Sequence, residues 1–114
     1  MHELGIVFHV IKRLEALAEE QHLTQIQRVT LEIGEVSGVV PEYLHDCWKW
    51  AIKKTQVLQE AALSIEPIKA VTICNACGKT YATVEHGKTC PHCASDDTVL
   101  QTGNEMSIKQ IEAC

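Results

Sequence analysis

Cys74, Cys77, Cys90 and Cys93 form two C-x2-C pairs, C-N-A-C and C-P-H-C, with twelve residues between them. Each pair makes a tight turn that aims two sulfurs at one point. A short hairpin can set the second pair opposite the first, closing one tetrahedral thiolate site. Thiolates suit Zn(II), and four sulfurs leave no open position for water, so the chemistry predicted is structural zinc binding. Gly78 follows Cys77, where a left-handed backbone can present N–H groups to sulfur. Ala94 stands in the same place after Cys93 and is a less favourable residue for it, while Pro91 stiffens that turn. A rubredoxin-like iron site would use the same ligands. His86 and His92 are near enough in sequence to replace a cysteine, although an exposed side chain is the simpler reading of each.

Met1-His2-Glu3 is a second set of donors. The Met1 amine, the His2 backbone nitrogen and the His2 imidazole can close one five-membered and one six-membered chelate ring. The large side chain at position 2 favours retention of Met1. With the Glu3 amide or an outside ligand, these nitrogens make the square-planar set favoured by Ni(II) and Cu(II). A site without thiolate would hold its metal less tightly than the four cysteines, which suits transfer. The plainer alternative is a histidine near a frayed terminus, with Glu3 as a carboxylate in a first helical turn.

These donors need a scaffold. Leu4, Val7, Ile11, Leu14 and Ala18 recur at helical spacing and predict an amphipathic helix over 4–21, ending near Gln21-His22 without a glycine. Residues 27–36 alternate, with Val29, Leu31 and Ile33 on one face and Arg28, Thr30 and Glu32 on the other, as in a half-buried strand. Pro41 suits the first position of a second helix, whose apolar stripe is Leu44, Cys47, Trp48, Ala51 and Ile52. Glu42 and Asp46 early and Lys49, Lys53 and Lys54 late complement its dipole. Residues 62–73 predict one further strand running into Cys74, with Pro67 marking an edge or a kink. After Gly103, the residues Met106, Ile108 and Ile111 predict a returning strand with a phase slip near Lys109-Gln110.

The expected fold is therefore α+β: a small three-stranded sheet with two helices and an inserted zinc-ribbon-like module of four cysteines. The expected division is a domain over 1–70, completed by the returning strand 103–114, and a zinc-binding module over 71–102. A module of that size cannot build much core, so metal should supply most of its stability.

Composition narrows the function. The net charge is −5 over 114 residues, and 71–102 holds only Lys79 and Lys88 against Glu85, Asp96 and Asp97. That argues against a phosphate-binding surface. No stretch is apolar for long enough to span a bilayer, and M-H-E-L-G lacks the features of a signal peptide, so a cytoplasmic protein is expected. Cysteines there are metal ligands more often than disulfides. No acid/base pair, phosphate loop or nucleophile elbow appears, so no enzyme is expected. Cys47 reads as a small core residue, because His45 two positions away faces nearly the opposite side of the helix. Cys114 is expected to be exposed. Trp48 belongs to the core stripe; Trp50 lies off it, marking either a partner surface or the core edge. His9 is a weak candidate to share a face with His2.

Taken in order, M-H-E at the N-terminus, L-E-I-G-E-V-S-G-V, A-x-L-S-I-E, C-x2-C with C-P-x-C, and G-N-E-M-S-I-K-x-I-E resemble the HypA/HybF family over essentially the whole chain. These are accessory proteins that insert nickel into [NiFe] hydrogenases. The resemblance implies that His2 is the essential nickel ligand and that backbone nitrogens at the terminus complete the set. Glu3 would be a supporting or partner-recognition residue, and Cys74, Cys77, Cys90 and Cys93 would bind zinc. It implies a HypB-type GTPase and the hydrogenase large-subunit precursor as partners, with urease maturation served by some members, and a monomer or weak homodimer. Two segments depart from the family pattern. Helix two reads Y-L-H-D-C-W-K-W, and Val39-Val40 stand where some relatives offer a carboxylate, which leaves the fourth nickel ligand unassigned. The alternative function is a zinc-ribbon protein- or nucleic-acid-interaction module, and a further one is an iron–thiolate electron carrier.

Overall fold

The computed structural model describes residues 3–114, so the Met1 and His2 donors lie outside the described residues. Helix α1 spans Glu3–Gln21 and buries Val7, Val10, Ile11, Leu14 and Ala18. Leu4 remains 38% exposed, so the buried stripe begins one turn later than its spacing predicts. The helix stops without a glycine. His22 takes φ 57°, and its N–H donates to the Glu19 carbonyl while the Leu23 N–H reaches back to Ala18. That is a Schellman cap with histidine in the left-handed position, a conformation that costs a residue with a Cβ on the order of 1 kcal/mol.

Strand β1 covers Ile26–Gly34 and buries Val29, Leu31 and Ile33 as the alternation predicts. Ile26 and Thr30 are buried as well, so the face carrying Thr30 is not the open one expected. The reason is position: β1 is the middle strand of its sheet. Helix α2, Pro41–Ala51, has Pro41 in its first turn and buries Leu44, Trp48 and Ala51, then tightens into a 3-10 turn over Ile52–Lys54. Cys47 is only half-buried. The Trp48 indole N–H donates to the Ala61 carbonyl at 2.9 Å, which satisfies its one polar atom inside the core.

The single strand predicted over 62–73 is two strands in two different sheets. Strand β2 is Ala62–Ile68 and strand β3 is Val71–Cys74. Pro67 does not make the break; it sits inside β2, an edge strand, where a missing N–H is tolerated. The break falls at Lys69-Ala70, where the Ala70 N–H leaves the ladder and donates to the Glu35 carboxylate at 3.0 Å. Three more short elements follow: β4 Thr80–Ala82, the single turn α3 Thr83–His86, and β5 Thr98–Thr102. At three to five residues each they are too short to show a period. Strand β6, Met106–Ala113, half-buries Met106 and Ile108, then Ile111 and Ala113, so its burial changes phase at Lys109-Gln110.

Among the described residues two three-stranded sheets result, ordered β2-β1-β6 and β4-β3-β5. The chain divides into two compact units. One comprises Met1–Leu31, Gly38–Glu66 and Ser107–Cys114; the other comprises Glu32–Ser37 and Pro67–Met106. The first holds both long helices and the main apolar core. The second holds the β4-β3-β5 sheet, whose β3 pairs antiparallel with β4 (Thr72 opposite Tyr81) and with β5 (Thr72 opposite Leu100). In this second unit Gly34 passes so close to the Gly103 carbonyl that a Cβ would overlap it. The L-E-I-G stretch therefore needs its glycine for approach.

Candidate metal centre

Strand β3 carries Cys74 to its end and delivers it to the first knuckle. The two knuckles are built alike. The Gly78 N–H donates to the Cys74 carbonyl at 2.8 Å, and the Ala94 N–H donates to Cys90 at 2.8 Å. The Cys74 N–H reaches the Lys79 carbonyl at 2.9 Å, and the Cys90 N–H reaches Ser95 at 3.0 Å. Gly78 has φ 75° and Ala94 has φ 63°. Ala94 thus adopts the glycine geometry in full, at a steric cost of about 1 kcal/mol. Knuckle geometry overrides residue preference here.

The four sulfurs lie within 4.8 Å of one another. Across the knuckles, Cys74 Sγ stands 3.5 Å from Cys93 Sγ and Cys77 Sγ stands 3.7 Å from Cys90 Sγ. Sulfurs at the usual zinc distance from a tetrahedral centre stand about 3.8 Å apart, whereas a disulfide is about 2.05 Å. The spacing fits a metal and excludes a bond. Each knuckle supplies one buried sulfur, Cys74 or Cys90, and one exposed sulfur, Cys77 or Cys93.

Backbone donors favour thiolate. The Cys77 N–H, assisted by the Cys93 thiol and the Ala76 N–H and opposed by burial, draws Cys74 down to about 7 from 9.0. The Ser95 N–H pulls Cys93 the same way, but the neighbouring sulfurs of Cys74, Cys90 and Cys77 outweigh it, together with burial, and Cys93 is pushed up to about 12. A proton shared between crowded sulfurs is what a cation of charge two would displace. The His92 N–H donates to Cys90 Sγ at 3.4 Å, so His92 serves the site through its backbone. His86 packs its ring edge-on to Tyr81 at 5.9 Å. Among the described residues, neither imidazole joins the cysteine group.

Sequence reasoning passed over the side chains that staple this unit. The Asn75 N–H and amide donate to the carbonyl and carboxylate of Asp97, and Thr89 Oγ1 donates to Asp96. Tyr81 OH donates to the Gly87 carbonyl at 2.9 Å, and its ring closes a small cluster with Cys74 and Cys90. Asx and Thr residues around a knuckle are the available signal for such staples.

In the other unit, the Glu3 carboxylate accepts the Val40 N–H at 3.2 Å. Val40 is the N-cap of α2, whose own side chain offers no cap. Glu3 thereby places negative charge at the positive end of a second helix. Leu4, Asp46, Cys47 and Trp50 line a shallow cleft of about 290 Å³. Trp50 is half exposed, edge-on to Phe8, with the Lys54 ammonium 4.1 Å over its ring. Cys114 is exposed, as expected from its position.

Among the described residues no helix is long and apolar enough to cross a membrane. A family model described as hydrogenase/urease nickel incorporation, metallochaperone, HypA, matches residues 1–113. The hydrogenase maturation factor HypA of Chlorobium phaeobacteroides (strain BS1) is 37% identical over 111 residues, covering 97% of each chain. That of Dehalococcoides mccartyi is 34% identical over 112 residues, covering 98% of this chain and 93% of its own. The solution structure of the Ni metallochaperone HypA from Helicobacter pylori superposes with a TM-score of 0.75 at 25% identity, covering 99% of this chain and 97% of that one. A second solution structure of a HypA protein gives 0.76 at 26% identity, covering 100% and 97%. With its knuckles, its helices and its whole length accounted for, this chain belongs to the HypA family of hydrogenase maturation factors and nickel metallochaperones.

Proposed function

We propose that this chain is a cytoplasmic nickel metallochaperone, not an enzyme, which binds Ni(II) at its N-terminus and passes it to a [NiFe] hydrogenase large-subunit precursor. The match of residues 1–113 to a nickel-incorporation family carries this reading. The nickel ligands would be the Met1 amine, the His2 backbone and imidazole nitrogens, and the Glu3 amide, within a domain of 1–70 completed by 103–114. Cys74, Cys77, Cys90 and Cys93 would hold Zn(II) within 71–102. A HypB-type GTPase would be its partner in delivery, with urease maturation proteins as further recipients.

Two observations support the division of labour. Four sulfurs within 4.8 Å of one another would saturate a tetrahedral ion, leaving no position for an exchangeable one. Glu3, tied to the Val40 N–H, holds the first described residue against the start of α2. The nitrogen donors would then be presented from an anchored stem. Glu3 serves as a brace for that stem and a source of one backbone nitrogen.

Metal titration of a chain with a free Met1 amine tests the proposal. One tightly held zinc and one weaker Ni(II) per chain are expected, read by native mass spectrometry and calorimetry. His2→Ala, or an extension that blocks the amine, should abolish the nickel and leave the zinc. Undiminished nickel binding in His2→Ala would refute the N-terminal site.

A further inference from the structure

Each knuckle holds sulfurs of two kinds: Cys77 and Cys93 are exposed, Cys74 and Cys90 buried. The short approaches cross between the knuckles, and each joins an exposed sulfur to a buried one. Cys93 Sγ lies 3.5 Å from Cys74 Sγ, and Cys77 Sγ lies 3.7 Å from Cys90 Sγ. An exposed thiolate is open to a small oxidant, and a second sulfur within reach turns the first oxidation product into a disulfide. A contraction of about 1.5 Å brings either pair to disulfide length. Cys114 is a contrast in the same chain: it is exposed, but its sulfur accepts from the Gln27 amide and stands outside the cysteine group.

We infer that the four-cysteine centre is a peroxide-sensitive switch, in which Cys77 and Cys93 are the attacked sulfurs and Cys90 and Cys74 the resolving ones. An exposed thiolate attacks hydrogen peroxide; the S–O bond forms, the O–O bond breaks, and hydroxide leaves to become water. The buried thiolate across the knuckles then attacks that sulfenic sulfur. An S–S bond forms, the S–O bond breaks, and a second hydroxide is protonated to water. Over both pairs, four thiolates, two peroxides and four protons give two disulfides and four waters. The sulfurs are oxidised and the peroxide oxygens reduced. Zn(II) departs because no thiolate remains to hold it. The bonds Cys74–Cys93 and Cys77–Cys90 then tie the knuckles together where the ion had done so. The oxidised second unit is thus metal-free yet cross-linked, and it takes zinc again only after a reductant has opened it. This inference rests on the reading that these cysteines hold zinc.

The test uses the full zinc-loaded chain carrying Cys114→Ser, which removes the exposed thiol of the first unit. Zinc is counted before any oxidant is added, so a failure of the zinc reading shows separately. Hydrogen peroxide should then release one zinc for every two peroxides consumed, followed with a chromogenic chelator. Dithiothreitol and fresh zinc should restore the starting protein. Trypsin cuts after Lys69, Lys79, Lys88 and Lys109, so bonds across the knuckles link peptides 70–79 and 89–109. Fragmentation between the cysteines of each peptide should assign Cys74–Cys93 and Cys77–Cys90. Dimedone present during a brief exposure should label Cys77 and Cys93. Amide protection of β3 and β5 should survive chelator in the oxidised chain and be lost in the reduced one. Disulfides within each knuckle, the pairing of Cys74 with Cys90, dimedone on the buried sulfurs, or zinc loss through sulfonic acids without disulfide would each overturn the inference.

Discussion

The two units of this chain are held together by different means. The first buries Val7, Val10, Leu14, Ile26, Val29, Leu31, Leu44, Trp48 and Leu58 almost completely, and a continuous apolar core needs no help from metal. The second has a buried cluster of Cys74, Tyr81 and Cys90. Two of those three side chains belong to the four-cysteine group that could hold a metal, so an ion bound there would sit at the centre of this core. Asn75, Asp96, Asp97 and Thr89 fasten the loops, but exposed hydrogen bonds of this kind contribute about 1 kcal/mol each at best. One polypeptide thus holds a unit built by apolar burial and a unit whose small core is largely a four-cysteine metal-binding group.

Metal removal should separate them most widely. Apparent zinc binding in small thiolate modules is worth about 10–16 kcal/mol at neutral pH, far more than this cluster can supply. A chelator strong enough to strip the cysteines should collapse amide protection over 71–102 and leave that of α1 and β1 in place. Protection retained across β3 and β5 in metal-free protein would show that the second unit folds unaided.

The reverse experiment has a smaller effect. Leu14→Ala empties a fully buried site in the first unit and should cost about 2–5 kcal/mol of its stability, read by chemical denaturation. Bound zinc per folded chain should be unchanged. Loss of zinc in step with the core would show that the two units unfold as one.

The smallest effects are the most local. His22 and Ala94 are the non-glycine residues with positive φ among those described, one in each unit. His22→Gly and Ala94→Gly should each stabilise by about 1 kcal/mol or less, since relief of the left-handed strain is partly offset by a freer unfolded chain. The first should raise the unfolding midpoint of the helical unit. The second should slow zinc loss to a competing chelator, leaving that midpoint alone.

What the sequence made legible follows the same division. The long periodic elements α1, β1 and α2 could be read because apolar side chains repeat on a fixed period where burial holds a unit together. The knuckles could be read because coordination fixes ligand identity and spacing. Between these lay β4, α3 and β5, which are three to five residues long and belong to the unit of the four cysteines rather than to an apolar stripe, so no period exists to find. The division of 62–73 into β2 and β3 was hidden for another reason: the Glu35 carboxylate that takes the Ala70 N–H is 35 residues away in the chain. Likewise Thr30 is buried by its place in the middle of a sheet, which no local alternation can signal. The Schellman cap at His22 was unreadable because glycine, its usual marker, is absent.

Both tryptophans of the chain, Trp48 and Trp50, lie on α2. Trp48 is buried, with its indole bonded to Ala61, while Trp50 is half exposed beneath Lys54. Indole fluorescence therefore has two reporters of contrasting colour in the first unit and none in the second, whose fluorophore is Tyr81. A thermal melt followed by indole emission would trace a clean, stable transition in protein whose four-cysteine unit has already unfolded. Quality control of purified material by that signal would pass the very preparations it should reject.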